Sequence, residues 1–239
     1  MAETLSTVRT AVLRRLGDST NVIWSNAEIN RYIQEGYDRL LFSTQMLWKR
    51  AYSDDVDGTA TYALPTDLQS VDRVMWNWRR IDAVTTRELI QADSAYRTTE
   101  GPVEAYSIED DGVLTIRKYP VPSQTPTAGA DTNNTRVEYF ARGAALSVDG
   151  STFEIPDRYV KYIRHFAMFR ALERKGDGQD LELAQHWGQR FEQGQQRIRE
   201  RMARVERTRI RVLSGDRGSG GPPPRPRLPV DFGTVVKFR

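Results

Sequence analysis

The sequence predicts an α+β protein with helices at both ends of its folded part, short strands between them, and an extended C-terminal arm. Three observations predict it. Apolar residues recur at steps of three and four from Leu5 to Leu47 and again from Tyr159 to Val205, the spacing of one face of an α-helix. Between these stretches, short β-branched and aromatic runs are divided by turn signals such as Asp57-Gly58 and Asp110-Asp111-Gly112, the pattern of a small antiparallel sandwich or barrel. From Ser214 onward glycines and prolines take over, and the periodicity ends.

Leu5, Val8, Val12 and Leu16 space a first helix, with Gly17 as its stop signal. A brief turn leads to a second, longer helix expected to run to about Lys49. Ser25 and Glu28 have the spacing of a capping box, and Trp24 and Ile29 that of a hydrophobic staple. Ile29, Ile33, Gly36, Leu40, Thr44 and Leu47 form its buried line, widened by Tyr32, Tyr37, Leu41 and Trp48. Gly36 on that line predicts a close helix–helix approach, because a missing Cβ admits a neighbour at a propensity cost of roughly 1 kcal/mol.

The period then changes. Asp57-Gly58 predicts a hairpin into Thr59–Leu64, and strands are expected at Val71–Trp78, Arg80–Val84, Val103–Ile108, Val113–Arg117 and Thr135–Ala141. A short helical piece is expected near Arg87–Ala95, and a loop over Pro120–Asn134. Helix resumes with Pro156 as first helical residue. Tyr159, Tyr162, Ile163, Phe166, Ala167 and Phe169 make a broad apolar face that Gly176 ends. A last helix starts near Asp180, its buried line Trp187, Phe191, Gly194, Ile198, Met202 and Val205. The core-defining residues are Trp24, Ser25, Glu28, Ile33, Phe166, Trp187 and Phe191.

The charge is unevenly spread. Twelve Lys/Arg against four acids from Arg197 onward give that end +8, so the preceding residues carry −5. An acidic body with a basic end predicts an interaction tail. Without cysteine the chain has no disulfide, thiolate metal site or thiol nucleophile. Two histidines, His165 and His186, do not make a metal site, and no cofactor or metal is expected. Asp54, Asp55 and Asp57 read as solvated acids at a hairpin tip rather than a cation site, and His165 as a packed or surface histidine rather than a general base. The glycines at 215, 218, 220 and 221 precede prolines, not a helix, so they form no phosphate loop. The chain reads as non-enzymatic. It lacks a bilayer-spanning apolar run and a signal peptide, so it is expected to be made in a cytoplasm with no membrane partner.

Read in order, a set of short motifs forms a recognisable series. Trp24-Ser25-x-x-Glu28-Ile29-x-x-Tyr32-Ile33 is followed by Tyr62-Ala63-Leu64-Pro65-Thr66-Asp67-Leu68, then Gly101-Pro102-x-x-x-Tyr106. Leu114-x-Ile116 ahead of Tyr119-Pro120-x-Pro122, Val137-x-Tyr139 and Ile155-Pro156-Asp157-x-Tyr159 come next, before a final basic helix. The series resembles the head-to-tail adaptor (connector) proteins of tailed bacteriophages, including the tail tubular protein A type, over roughly residues 5–208. Each motif alone is capping or turn chemistry; their order carries the resemblance.

The resemblance implies a helical bundle with the β-domain inserted between its second and third helices. On that basis residues 1–49 and 144–213 are the two halves of the bundle, 50–143 the inserted domain, and 214–239 the arm. It also implies a structural role in the virion neck: a homo-oligomeric ring, dodecameric in the family, under the portal protein, with a tail or nozzle protein below and genomic DNA passing nonspecifically. Family members often grip the portal with C-terminal arms. Here Phe232, Thr234, Val236 and Phe238 fall on one side of an extended strand and Val235 on the other. Pro222–Pro229 in polyproline II form reaches on the order of 25 Å. The expectation is that Phe232, Val235, Val236 and Phe238 add to a sheet of the portal or a neighbouring subunit, with Arg225 and Arg227 pairing acids along the route; the alternative is a strand folded back on its own β-domain. A competing function is a nucleic-acid-binding accessory protein using the basic C-terminal helix and arm. A lesser one is an adaptor for peptide-recognition domains through the prolines.

Overall fold

The computed structural model describes residues 3–123 and 134–214, with side chains through Arg204. Residues Met1–Glu200 form one compact unit; Arg201–Arg239 count as a second, of which helix to Ser214 is described. The elements in chain order are α1 (Leu5–Leu16), α2 (Asn26–Thr44), β1 (Trp48–Ser53), β2 (Thr61–Ala63), β3 (Leu68–Trp76), β4 (Arg79–Ala83) and α3 (Thr86–Ala92). They continue with β5 (Glu100–Gly101), β6 (Ala105–Asp110), β7 (Leu114–Tyr119), β8 (Val121–Pro122), β9 (Thr135–Ala141), α4 (Asp157–Glu173) and α5 (Leu181–Ser214). The α+β class is as predicted.

Local chemistry sets the helix ends. Thr4 caps α1 in a reciprocal box with Thr7, and Gly17 closes it in the left-handed region at φ 77°. The Asp18 carboxylate then accepts the amides of Val22, Ile23 and Trp24 at 2.8–2.9 Å, which folds the turn into α2 and holds that carboxyl below its usual pKa. Ser25 accepts the Glu28 amide at 3.2 Å, but the reverse half of the expected box is missing. Glu28 is drawn away by the Tyr32 hydroxyl, which donates to it at 2.8 Å, and by Arg174, also at 2.8 Å. Pro156 is the N-cap of α4 rather than its first residue, and Asp180 caps α5 by accepting the Leu183 amide at 2.9 Å.

The helix expected to reach Lys49 ends at Thr44. Gln45 takes a left-handed conformation, φ 49°, and Trp48 opens β1. Leu47 and Trp48 continue the helical spacing, yet Trp48-x-Arg50-x-Tyr52 also alternates. The ladder to β9, pairing Trp48 with Phe140 through Ser53 with Thr135, decides in favour of the strand.

The seven main strands form one curled sheet in the order β1-β9-β3-β4-β6-β7-β2, while β5 and β8 make a separate parallel pair. The Asp57-Gly58 turn exists, with Gly58 at φ 71°, but it is not a hairpin. It joins β1 and β2, which sit at opposite edges of the sheet. All ladders of the sheet are antiparallel except β4–β6, where Asp82 pairs with Ala105 and Ala83 with Tyr106. Of the expected loop over Pro120–Asn134, Val121–Pro122 is β8, and residues 124–133 lie outside those described.

Two apolar clusters result. Val74, Ile81, Tyr106, Ile116, Val137 and Tyr139 fill the concave side of the sheet. The larger cluster joins α1, α2, α4 and the first part of α5, and includes Leu5, Val12, Ile33, Leu40, Ile163 and Phe166, with Phe153 from the segment before α4. Gly36 packs on α4: a Cβ there would lie 2.8 Å from Phe166 Cδ1 and 3.0 Å from its Cβ. Gly36→Leu is therefore expected to lower stability by about 1–3 kcal/mol despite its better helix propensity. A raised urea midpoint for this variant would show that the contact yields freely.

Candidate interaction surfaces

Trp24, Ile33, Phe166 and Phe191 are buried in the bundle cluster, and the Trp24 indole N–H donates to the Ala171 carbonyl at 3.2 Å. Ser25 and Glu28 stand at the head of α2. Trp187 is only partly buried and packs on the margin of the cluster, with the His165 ring 5.1 Å away. Met202, expected on the buried line of α5, is 38% exposed instead. Residues 199–204 of α5 are exposed. The arm residues Arg225, Arg227, Phe232, Val235, Val236 and Phe238 lie outside the described residues, as does the strand expected there.

The convex side of the sheet is a surface the sequence reading missed. Register places Tyr52, Arg136, Met75 and Arg80 in one row, and Arg50, Glu138 and Arg73 in the next. Glu138, 3% exposed, takes guanidiniums from three strands: Arg73 at 2.9 Å, Arg136 at 3.1 Å and Arg50 at 3.3 Å. Glu138 thus gathers three arginines, of which Arg73 also meets Asp72 at 3.4 Å. Aromatic rings accompany them, with Arg50 4.5 Å from the Trp48 ring centroid and Arg136 5.5 Å from that of Trp78. Trp78 is 66% exposed at the β3–β4 turn, where it and Asn77 hold positive φ. A tryptophan in that conformation carries a local backbone cost of order 1–3 kcal/mol. Fixed arginines with exposed Trp and Tyr are the composition of protein–protein interfaces. Arg136-x-Glu138-x-Phe140 could have signalled it; assigning Trp48 to a helix hid the matching strand.

A groove of about 710 Å³ lies where α2 meets the sheet, lined by Gln34, Asp38, Arg39, Phe42, Gln69 and Arg142. Phe42 is largely exposed there. Being concave, the groove offers room for a partner's side chain.

Asp55 departs furthest from expectation. It is not a solvated acid but 1% exposed, paired with Lys118, which is fully buried. Thr135 donates its hydroxyl to Asp55 at 2.9 Å, the Trp76 indole N–H donates to the other carboxylate oxygen, and the Lys118 ammonium sits 3.9 Å above the Tyr62 ring. Desolvation pushes the Lys118 ammonium below its usual pKa, against the pull of Asp55. So enclosed a pair is a clamp, tying the segment after β1 to β7 and β9. Among the described residues no group of three or more His, Asp or Glu is placed to hold a metal ion, and no helix is long and apolar enough to cross a membrane.

A bundle joined to a curled sheet, with its distinctive chemistry on outward faces, defines a protein of the interaction class. A family model described as SU10 adaptor protein matches residues 3–214, most of the chain, and the chain belongs to that family. It is a family of phage head–tail adaptors, structural and typically non-enzymatic, whose place is the virion neck. No curated protein matches the chain.

Proposed function

We propose that this protein forms a homo-oligomeric ring beneath the portal that joins capsid to tail and lets genomic DNA pass through its centre. The observation that carries the reading is the match across residues 3–214, which spans bundle and sheet together. Portal and tail or nozzle proteins are the partners, and the ring is a dodecamer by resemblance to its family. In this reading residues 50–143 are a body inserted into the bundle of 1–49 and 144–213. Residues 214–239 are an arm whose Phe232, Val235, Val236 and Phe238 add to a sheet of the portal or the adjacent subunit, with Arg225 and Arg227 meeting acids on the way. The arginine and aromatic face of the sheet supports contacts between subunits.

Imaging of purified virions tests the ring: the chain should lie between head and tail as a closed ring, and its absence from the neck overturns the reading. Deleting everything after Gly215 tests the arm. The truncated chain is expected to melt as before and to lose attachment to portal-bearing heads. Unchanged attachment would dispose of the arm's role, and a lower melting temperature would mean that it folds on its own body.

A further inference from the structure

Three helices bring cations to one spot of the bundle with almost no acids to balance them. The α1 sequence holds no acid and ends in Arg14 and Arg15. In α4 the acids Asp157 and Glu173 stand at the two ends, leaving Lys161, Arg164 and His165 along the middle. Between α1 and α4 is a cavity of about 90 Å³ whose wall includes Val12, Arg15, Lys161, Arg164, His165 and Met168. That is room for several waters, and enough for a small tetrahedral anion. Trp187 of α5 has the Arg15 guanidinium 5.4 Å and the Arg190 guanidinium 5.6 Å from its ring centroid, with His186 also against it at 5.3 Å.

The charges are not matched within the chain. Glu3 pairs with Arg164. Among the described residues Arg15, Lys161 and Arg190 make no ion pair, so three cations stand uncompensated. The His165 Nδ1 is buried without a hydrogen-bond partner. Burial first, then the fields of Arg190, Arg15, Lys161 and Arg164, push His165 down to about 4. Like charges crowded in this way repel one another, and an anion among them offsets that repulsion by adding an attractive term with each cation.

We propose that this cavity is an anion site for a phosphate group, bound by Arg15, Lys161 and Arg164 with Arg190 adding to its field. The group is either free phosphate or a backbone phosphate of nucleic acid. Guanidiniums offer forked donors matched to tetrahedral oxyanions, and the lysine adds a compact point charge. Two uncompensated cations at the wall, Arg15 and Lys161, with Arg190 beyond it, suit a doubly charged phosphate better than a single carboxylate. The site uses none of the residues named for the arm or the sheet face, and does not depend on the ring.

The test uses the full-length chain with inorganic phosphate, chloride replacing it at equal ionic strength, and in a second arm a short DNA duplex. The readouts are melting temperature and the His165 imidazole signal, assigned with a His186→Gln variant. Phosphate should raise the melting temperature saturably and move the His165 midpoint from about 4 toward the ordinary 6.5. Lys161→Gln and Arg15→Gln change exposed side chains, so both should fold normally and bind phosphate about tenfold more weakly or worse. A response to inorganic phosphate assigns a free-anion site, and a response to duplex alone assigns a backbone-phosphate contact. Identical behaviour in phosphate, chloride and duplex overturns the proposal, as does unchanged phosphate binding by both variants.

Discussion

Phe166→Ala should lower the unfolding free energy by about 3–5 kcal/mol, a fall of ~6–20 °C in melting temperature for a chain of this size. Phe166 is among the largest fully buried side chains, and it connects the parts of the bundle. Its ring lies 5.0 Å from that of Phe191 on α5 and 5.9 Å from that of Phe169, and its stem fills the notch left by Gly36 on α2. Removing it opens a cavity that backbone cannot close, because α2 is already in contact and the surrounding apolar residues are held by their own neighbours. The same geometry predicts a coupling. Gly36→Ala places a Cβ 2.8 Å from the Phe166 ring and should destabilise the parent, yet cost less in a Phe166→Ala background, where the ring is gone and only the 3.0 Å approach to the remaining Cβ is left. A Phe166→Ala melt that matches the parent would remove Phe166 from the centre of the bundle. Strict additivity in the double variant would separate it from Gly36.

Lys118→Met should cost about as much, ~3–5 kcal/mol, for a different reason. The substitution leaves Asp55 enclosed with no counter-charge, keeping only hydrogen bonds from Thr135 and Trp76. The double variant Asp55→Val/Lys118→Met removes both charges, and should recover much of the loss because the desolvation of two ions disappears with their attraction. Denaturant unfolding of the singles and the double completes the cycle. If the single Lys118→Met variant is as stable as the parent, the pair is not a clamp. If the double is no better than the single, packing rather than charge dominates at this site.

What could be read from the sequence follows how far apart the deciding residues lie. Gly17, Ser25 and Asp180 act within a few positions of the helix ends they set, so the end of α1, the start of α2 and the start of α5 were legible. The Gly36 notch was legible too, because a glycine on an apolar stripe states its own purpose. The adaptor resemblance over residues 5–208 agrees with the match over 3–214, since the order of local motifs survives where each one is weak. The sequence by itself therefore determined the helices apart from the end of α2, most of the strands, the α+β class and the family.

The tertiary structure alone decided the partners. Trp48 left the helix because β9, some ninety residues later, offers its backbone a ladder, and no local propensity reports that offer. Asp57-Gly58 turns the chain but cannot choose which strand the chain meets next, so β1 and β2 end at opposite edges. Asp55 looks like a surface acid until Lys118 and Thr135 arrive from β7 and β9. The guanidiniums on Glu138 and the uncompensated cations beside His165 exist only once distant segments stand side by side. Burial and charge balance are sums over neighbours in space, and those neighbours are assigned by packing, not by position in the chain.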